Sequence, residues 1–392
     1  LLFQVLDSKQ ECRGVYHEGQ IAQDYEGLDL THSWAPTVHF RDKKIDYAQL
    51  WARGQSLRDV CPPELSAAYT GLDKRARAYL RSFEVAKINL NELCFYDLVP
   101  EGFLLDFFKI KNDISQFVFD NSSRPKNYEF LHELSFFLSD IKSRNLNLDF
   151  KNLNLANSSA RHGLNKVKES RKNIAYNPWT TVTGRLTTEK DSFPILTMNK
   201  DLRSIVKPHN DCLVELDYNA AEVRVLFGLI GQQQPEQDVH DWISKNVFES
   251  KYDREDTKKK VFSWLYNPKA KNKRLNEYID RDMIYNQYYV NGRVATPYDR
   301  TIEVNDSKAL NYLIQSTTSD MFLTSAIKVN DMLRDRKSFV SFCIHDSLVL
   351  DFSLEDRELL TNISQIFSST RFGEIKTNLS IGKDFGHMKR VA

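Results

Sequence analysis

Residues 213–228 read LVELDYNAAEVRVLFG, and the run changes period half-way along. Leu213, Val214 and Leu216 follow a turn signal at His209-Asn210-Asp211 and predict a buried strand. From Ala220 onward, Ala221, Val225 and Leu226 recur at helical spacing, with Glu222 and Arg224 between them. A strand therefore feeds a helix, and Asp217 stands at the junction. A carboxylate at the end of a buried strand is costly unless something satisfies it. The chain must fold so that a partner or a cation meets Asp217.

A second acid has a similar setting. In SFCIHDSLVLDFS (341–353), apolar runs flank His345-Asp346-Ser347, which predicts a hairpin with polar residues at its tip. An Asp at a turn is most often a local cap or Asx-turn. Two carboxylates at the ends of neighbouring strands also make a platform for Mg²⁺, which prefers oxygen ligands and is commonly shared with substrate phosphates. A third run, REDTKKKVFSWLY (254–266), spaces Arg254, Lys258, Phe262 and Tyr266 four residues apart. On a helix that spacing forms one face of two cations followed by two aromatics. Such a face suits a polyphosphate and a flat base. The plainer reading is two core aromatics beneath two snorkelling cations.

Composition adds little beyond local charge. At 392 residues the chain predicts two or three subdomains. Its net charge of +1 points to no partner class. The basic residues are clustered, however. Lys258, Lys259, Lys260, Lys269, Lys271, Lys273 and Arg274 follow one another with no acid between, and Arg161, Lys166, Lys168, Arg171 and Lys172 are interrupted by Glu169 alone. Runs of this kind in a near-neutral chain suit polyanion contacts, or simply a solvated face. The five cysteines are scattered and form no CxxC pair, which argues against a disulfide framework or zinc ribbon and fits a reducing compartment. No apolar run approaches the roughly 20 residues of a membrane span, so no membrane association is expected.

Taken in order, these runs resemble the polymerase region of family A (DNA polymerase I-like) DNA polymerases, in a compact bacteriophage style. DYNAAEVRVL (217–226) resembles the first palm motif, R-x3-K-x3-F-x3-Y the nucleotide-binding fingers helix, and IHDS (344–347) the second palm motif. TVTGRLTT (181–188), VNGRVATPYDR (290–300) and NYLIQSTTSDMF (311–322) resemble three further family segments, and all six are collinear. The resemblance implies an α+β right-hand polymerase fold: a palm with an antiparallel sheet, helical fingers and thumb, and a small N-terminal α/β domain. The implied division is 1–105 as an N-terminal domain, 106–175 as thumb, 176–229 as first palm segment, 230–300 as fingers and 301–392 as second palm segment.

The resemblance also implies roles. Asp217 and Asp346 would be the catalytic carboxylates, holding two Mg²⁺ ions with the Tyr218 carbonyl, and Mn²⁺ would substitute. Arg254, Lys258 and His240 would meet the triphosphate of a dNTP. Phe262 and Tyr266 would line the base-pair pocket, and Glu222 with Tyr266 would exclude a ribose 2′-hydroxyl. Arg185, Asn311 and Gln315 would touch the minor groove near the primer terminus, where acceptors are nearly the same for every base pair. His345 would contact the primer end, and the basic run from Arg161 would begin a duplex-gripping thumb.

The implied activity is template-directed DNA synthesis in replication, on primed template DNA with dNTPs. A helicase, primase or processivity factor would be a further partner, and the location would be cytoplasmic, in a bacterial host if the protein is viral. A single-subunit RNA polymerase is the alternative, which Glu222 opposes. A non-catalytic DNA-binding protein that kept the fold is another.

Several positions depart from the family pattern. Ser347 stands where the family has Glu, Ser263 and Asn267 stand where it has Gly, and the link 230–242 between palm and fingers is short. The template-contacting Asn and Gln expected soon after TGRL are not evident in EKDSFPILTMNK (189–200). The Asp-x-Glu of a proofreading exonuclease has one candidate, Asp24-Tyr25-Glu26, with no buried strand before it. Residues 1–105 are therefore expected to be a reduced exonuclease-like scaffold or a partner-docking domain.

Overall fold

The computed structural model describes residues 1–7, 12–90, 93–151, 158–267 and 269–391, with side chains from 163 onward in the helix Ser158–Glu169. The chain forms two compact units, Leu1–Phe136 and Phe137–Ala392. The division falls inside 106–175, the segment expected as thumb.

In the first unit, strands β1 (Phe3–Asp7), β2 (Cys12–His17) and β3 (Gln20–Ala22) form an antiparallel sheet. Glu18 and Gly19, with φ of 45° and 85°, close the β2–β3 hairpin. Positive φ at both loop residues matches the right-handed twist of a tight hairpin. Two short strands, β4 (His32–Ser33) and β5 (Asp46–Tyr47), run parallel, and Leu2 bridges to His32 in the same sense. Two long helices follow, α1 (Pro63–Val85) and α2 (Glu101–Asn121). Helix α2 belongs to this unit because Phe103, Leu104 and Phe108 pack with Leu6 and Tyr16, while Val118 packs with Trp34 and Ala48. Asp24 accepts a hydrogen bond from the Glu26 amide at 3.1 Å, a local turn outside any strand.

The second unit is organised by a five-stranded antiparallel sheet. Its central strand is β6 (Cys212–Tyr218). On one side lies the hairpin of β7 (Phe339–Ile344) and β8 (Ser347–Phe352), and on the other lie β9 (Thr377–Gly382) and β10 (Lys389–Arg390), in the order β7-β8-β6-β9-β10. Alternation along β6 buries Cys212, Val214, Leu216 and Tyr218 on one face. Tyr218 stacks on Phe367 with centroids 4.4 Å apart. The other face carries buried Leu213 and then half-buried Glu215 and Asp217, so it opens toward the strand's end.

Helices surround this sheet. Helix α3 (Ala221–Leu229) leaves β6 through Ala220, whose φ of 52° and ψ of 56° are left-handed. Helices α4 (Val239–Asn246) and α5 (Arg254–Tyr266) follow, each with an aspartate N-cap, Asp238 and Asp253. The 27-residue helix α6 (Asp306–Met332) packs against α3 and against α7 (Leu360–Ser368). No described helix is long and apolar enough to cross a membrane.

Candidate functional site

The end of β6 and the tip of the β7–β8 hairpin meet. Asp217 pairs in register with Ser347, so the hairpin turn His345-Asp346 lies just beyond it. Exposed His345 takes a φ of 53° to make that turn. Burial pushes the Asp346 carboxyl above its ordinary range, Arg185 opposes the shift, and the like charge of Asp217 adds to it. The two carboxylates, 129 positions apart in sequence (346 − 217), therefore share one electrostatic neighbourhood.

Helix α3 brings in a third acid. Glu222 accepts hydrogen bonds from Arg185 on one oxygen and from the Tyr266 hydroxyl on the other. Burial raises its carboxyl, Arg185 opposes that, and Asp346 reinforces it. Arg185, Glu222, His345 and Asp346 line a cavity of about 490 Å³, whose apolar wall includes Leu186, Leu196 and Phe322. Asn311 and Gln315, one turn apart on α6, are joined by a 2.5 Å hydrogen bond.

Helix α5 keeps its stripe apart from its buried side. Thr257, Val261, Trp264 and Leu265 fill the buried side. Phe262 and Tyr266 are only half-buried and stack with centroids 5.7 Å apart at 21°. They form a separate aromatic face rather than the helix's core contact. Arg254 and Lys258 are exposed farther along. Among the described residues Lys258 makes no ion pair, whereas Arg254 bonds Asp238 at 2.9 Å and Glu255 at 2.6 Å. His240 lies among them, 1 % exposed, with its ring 6.0 Å from Phe262 and neither ring nitrogen hydrogen-bonded among the described residues. Burial pushes its pKa down to about 4, with Arg254 and Lys258 acting in the same direction against Asp238.

The short link 230–238 has an internal brace that the sequence reading missed. Arg224 is fully buried, and its guanidinium donates to the carbonyls of Asn219, Pro235 and Gln237 at 2.8–2.9 Å. Burial lowers its pKa to about 10. The Asn219 amide donates to Asp238 at 2.9 Å, so a residue two beyond Asp217 reaches the carboxylate that holds Arg254. Against the upward push of burial, the bonds from Arg254 and Asn219 hold Asp238 well below the usual carboxylate range.

A second missed unit lies under Arg185. Arg300 makes a bidentate pair with fully buried Asp320 at 2.7 and 2.8 Å. Gly184, at φ +73°, packs its Cα side against that guanidinium, where a β-carbon would collide. Ser319 donates to the Gly184 carbonyl at 2.9 Å. The motif residues Gly184, Arg300 and Asp320 thus form one contact that fixes the turn carrying Arg185.

Glu215 also went unnoticed in the sequence, although it shares a strand face with Asp217. Burial raises its carboxyl and the Asp217 charge adds to this, while Arg203 opposes it.

The side-chain donors that could meet a cation here are the carboxylate oxygens of Asp217 and Asp346. This set fits Mg²⁺, and a cation between Asp217 and Asp346 would relieve the like-charge repulsion that raises Asp346. Among the described residues no three His, Cys, Asp or Glu side chains form a ready-made metal cage. Substrate oxygens or water would have to complete any coordination shell. The Arg161 side chain, part of the first basic run, lies outside the described residues.

No family model matches the chain, and no curated protein sequence matches it. Among solved structures, it is similar to the POL domain of Pol1 from M. smegmatis in complex with DNA primer-template and dNTP. The identity is 15 % and the TM-score 0.48, over 82 % of this chain and 66 % of that one.

Proposed function

We propose that this chain is a template-directed DNA polymerase that extends a primer 3′-hydroxyl with dNTPs, with the palm, fingers and thumb of family A enzymes. The observation that carries this reading is a convergence. Asp217 and Glu222 come from one sequence run and Arg185, Tyr266 and Asp346 from three others, and their charges and hydrogen bonds meet at one strand end. The family resemblance assigns those same runs to one active site.

In this reading Asp217, Asp346 and the Tyr218 carbonyl hold the divalent ions. When bound, these ions supply the Lewis acidity for in-line displacement of pyrophosphate by the 3′-hydroxyl. The protein's own groups do the rest. Arg254 and Lys258 bind the triphosphate and offset charge on the leaving group. His240, neutral at pH 7 by virtue of its burial, adds a hydrogen-bonding edge without a third charge. Phe262 offers a face to the nascent base pair.

In this reading one contact would set sugar selection: the Tyr266 hydroxyl bonded to Glu222 would close the space beside the sugar's C2′ against a 2′-hydroxyl. That contact favours the DNA polymerase reading over the RNA polymerase alternative. Arg185, Asn311 and Gln315 present donors to the minor groove, and His345 meets the primer end.

Primer extension with Mg²⁺, offering dNTPs and rNTPs separately, tests the reading. Extension with dNTPs alone is expected. Extension with rNTPs at a comparable rate would transfer the chain to the RNA polymerase branch. No extension at saturating duplex would refute the catalytic assignment.

A further inference from the structure

Asp217 is held from both sides. Ser347 on β8 and Asn378 on β9 are its direct cross-strand partners. Directly opposite residues project from the same sheet face with β-carbons about 5 Å apart. The Ser347 hydroxyl donates to one carboxylate oxygen of Asp217 at 2.8 Å, and the Asn378 amide donates to the other at 3.3 Å. We infer that Ser347 and Asn378 form a two-sided clamp that fixes the Asp217 carboxylate for divalent-cation binding, with Asn378 as a positioning residue from a strand beyond every motif in the sequence. The inference rests on the reading of Asp217 as a cation ligand.

Three features of the site support the clamp. First, the family resemblance places a Glu at position 347, and an ionised Glu accepts hydrogen bonds but cannot donate them. Serine turns that position into a donor. Second, the Asn378 side-chain oxygen is buried and has no hydrogen-bond partner among the described residues. Its bond to Asp217 is therefore the polar contact that orients the amide, and the flipped amide would set oxygen against carboxylate. Third, Glu215 lies two residues before Asp217 on the same face, and its like charge would turn a loosely held Asp217 away. Two donors hold the carboxylate against that repulsion. An ionised carboxylate has about four lone-pair sites, so two donors still leave room for a metal.

Partners of this kind tune a site without touching the metal, and their loss typically weakens metal affinity by about 10- to 100-fold. The test is Mn²⁺ affinity of the full chain, measured by electron paramagnetic resonance without nucleic acid, for wild type, Ser347→Ala, Asn378→Ala, Ser347→Thr and Asp217→Asn. Ser347→Ala and Asn378→Ala are expected to weaken Mn²⁺ binding at least about tenfold each, with melting temperatures unchanged. Ser347→Thr, which keeps the hydroxyl, is expected to bind as wild type does. Ser347→Ala removes a single oxygen and keeps the inference testable if Asn378→Ala fails to fold. Wild-type affinity in both alanine variants, with binding lost in Asp217→Asn, would overturn the clamp alone. Wild-type affinity in Asp217→Asn would overturn the assignment of Asp217 and the clamp with it.

Discussion

Replacing Asp320 with Ala should be among the most damaging single changes in the second unit. Asp320 has no exposed surface, and the Arg300 side chain is 14 % exposed. Truncation leaves a guanidinium that has lost both carboxylate bonds and has little water to replace them. Breaking a buried pair from one side costs about 3–5 kcal/mol. For a unit of this size, 1 kcal/mol moves the melting temperature by roughly 2–4 °C, so the loss is about 6–20 °C. The damage should also reach function, because the same guanidinium packs against Gly184 in the turn that presents Arg185. Asp320→Asn keeps the shape and one acceptor, and should fall between wild type and Asp320→Ala. Differential scanning calorimetry on the three proteins measures the effect. A melting temperature for Asp320→Ala within 2 °C of wild type (less than about 1 kcal/mol) would refute the argument that this pair organises the turn.

Two further predictions concern single residues. His240 takes its proton only near pH 4 in the folded protein, against about 6.5 when unfolded. The unfolded state therefore binds more protons between those values. The stability contributed by neutral His240 is complete above about pH 6.5 and is lost as pH falls toward 4, by about 3 kcal/mol in all. His240→Phe should flatten the pH dependence of urea unfolding over that range, and an unchanged slope would contradict the burial argument. Glu222→Ala removes the acceptor of both Arg185 and Tyr266 and should raise ribonucleotide incorporation more than about tenfold, or 1.4 kcal/mol of lost discrimination. Competitive single-nucleotide insertion measures it, and unchanged sugar choice would place the gate elsewhere.

Much of the second unit was legible because its information is local. The change of period at Ala220, the polar tip at His345-Asp346 and the four-residue stripe from Arg254 each show within one run of sequence. They are observed as β6 with α3, as the β7–β8 hairpin and as α5. What escaped is pairing between distant runs. Asn378 reaches Asp217 only because β9 lies beside β6, and no periodicity announces a neighbour 161 residues away. Arg224 reads as a polar position on a helix, yet it is fully buried because it carries the hydrogen bonding of a link with little structure of its own. Glu215 was within reach: alternation puts it on the face of Asp217, and the apolar residues around it drew attention away. Helix α2 joined the first unit through Phe103, Leu104 and Phe108, and a helix's apolar stripe does not say which neighbour it will meet.

The most direct test of the central claim compares Asp217→Asn with wild type in single-turnover primer extension while duplex affinity is measured in parallel. The substitution keeps the shape of the side chain and removes its charge. The account predicts a loss of at least about a thousandfold in the rate of nucleotide addition, near 4 kcal/mol, with duplex binding unchanged. An addition rate within a few-fold of wild type would show that Asp217 does not hold the reaction's metal.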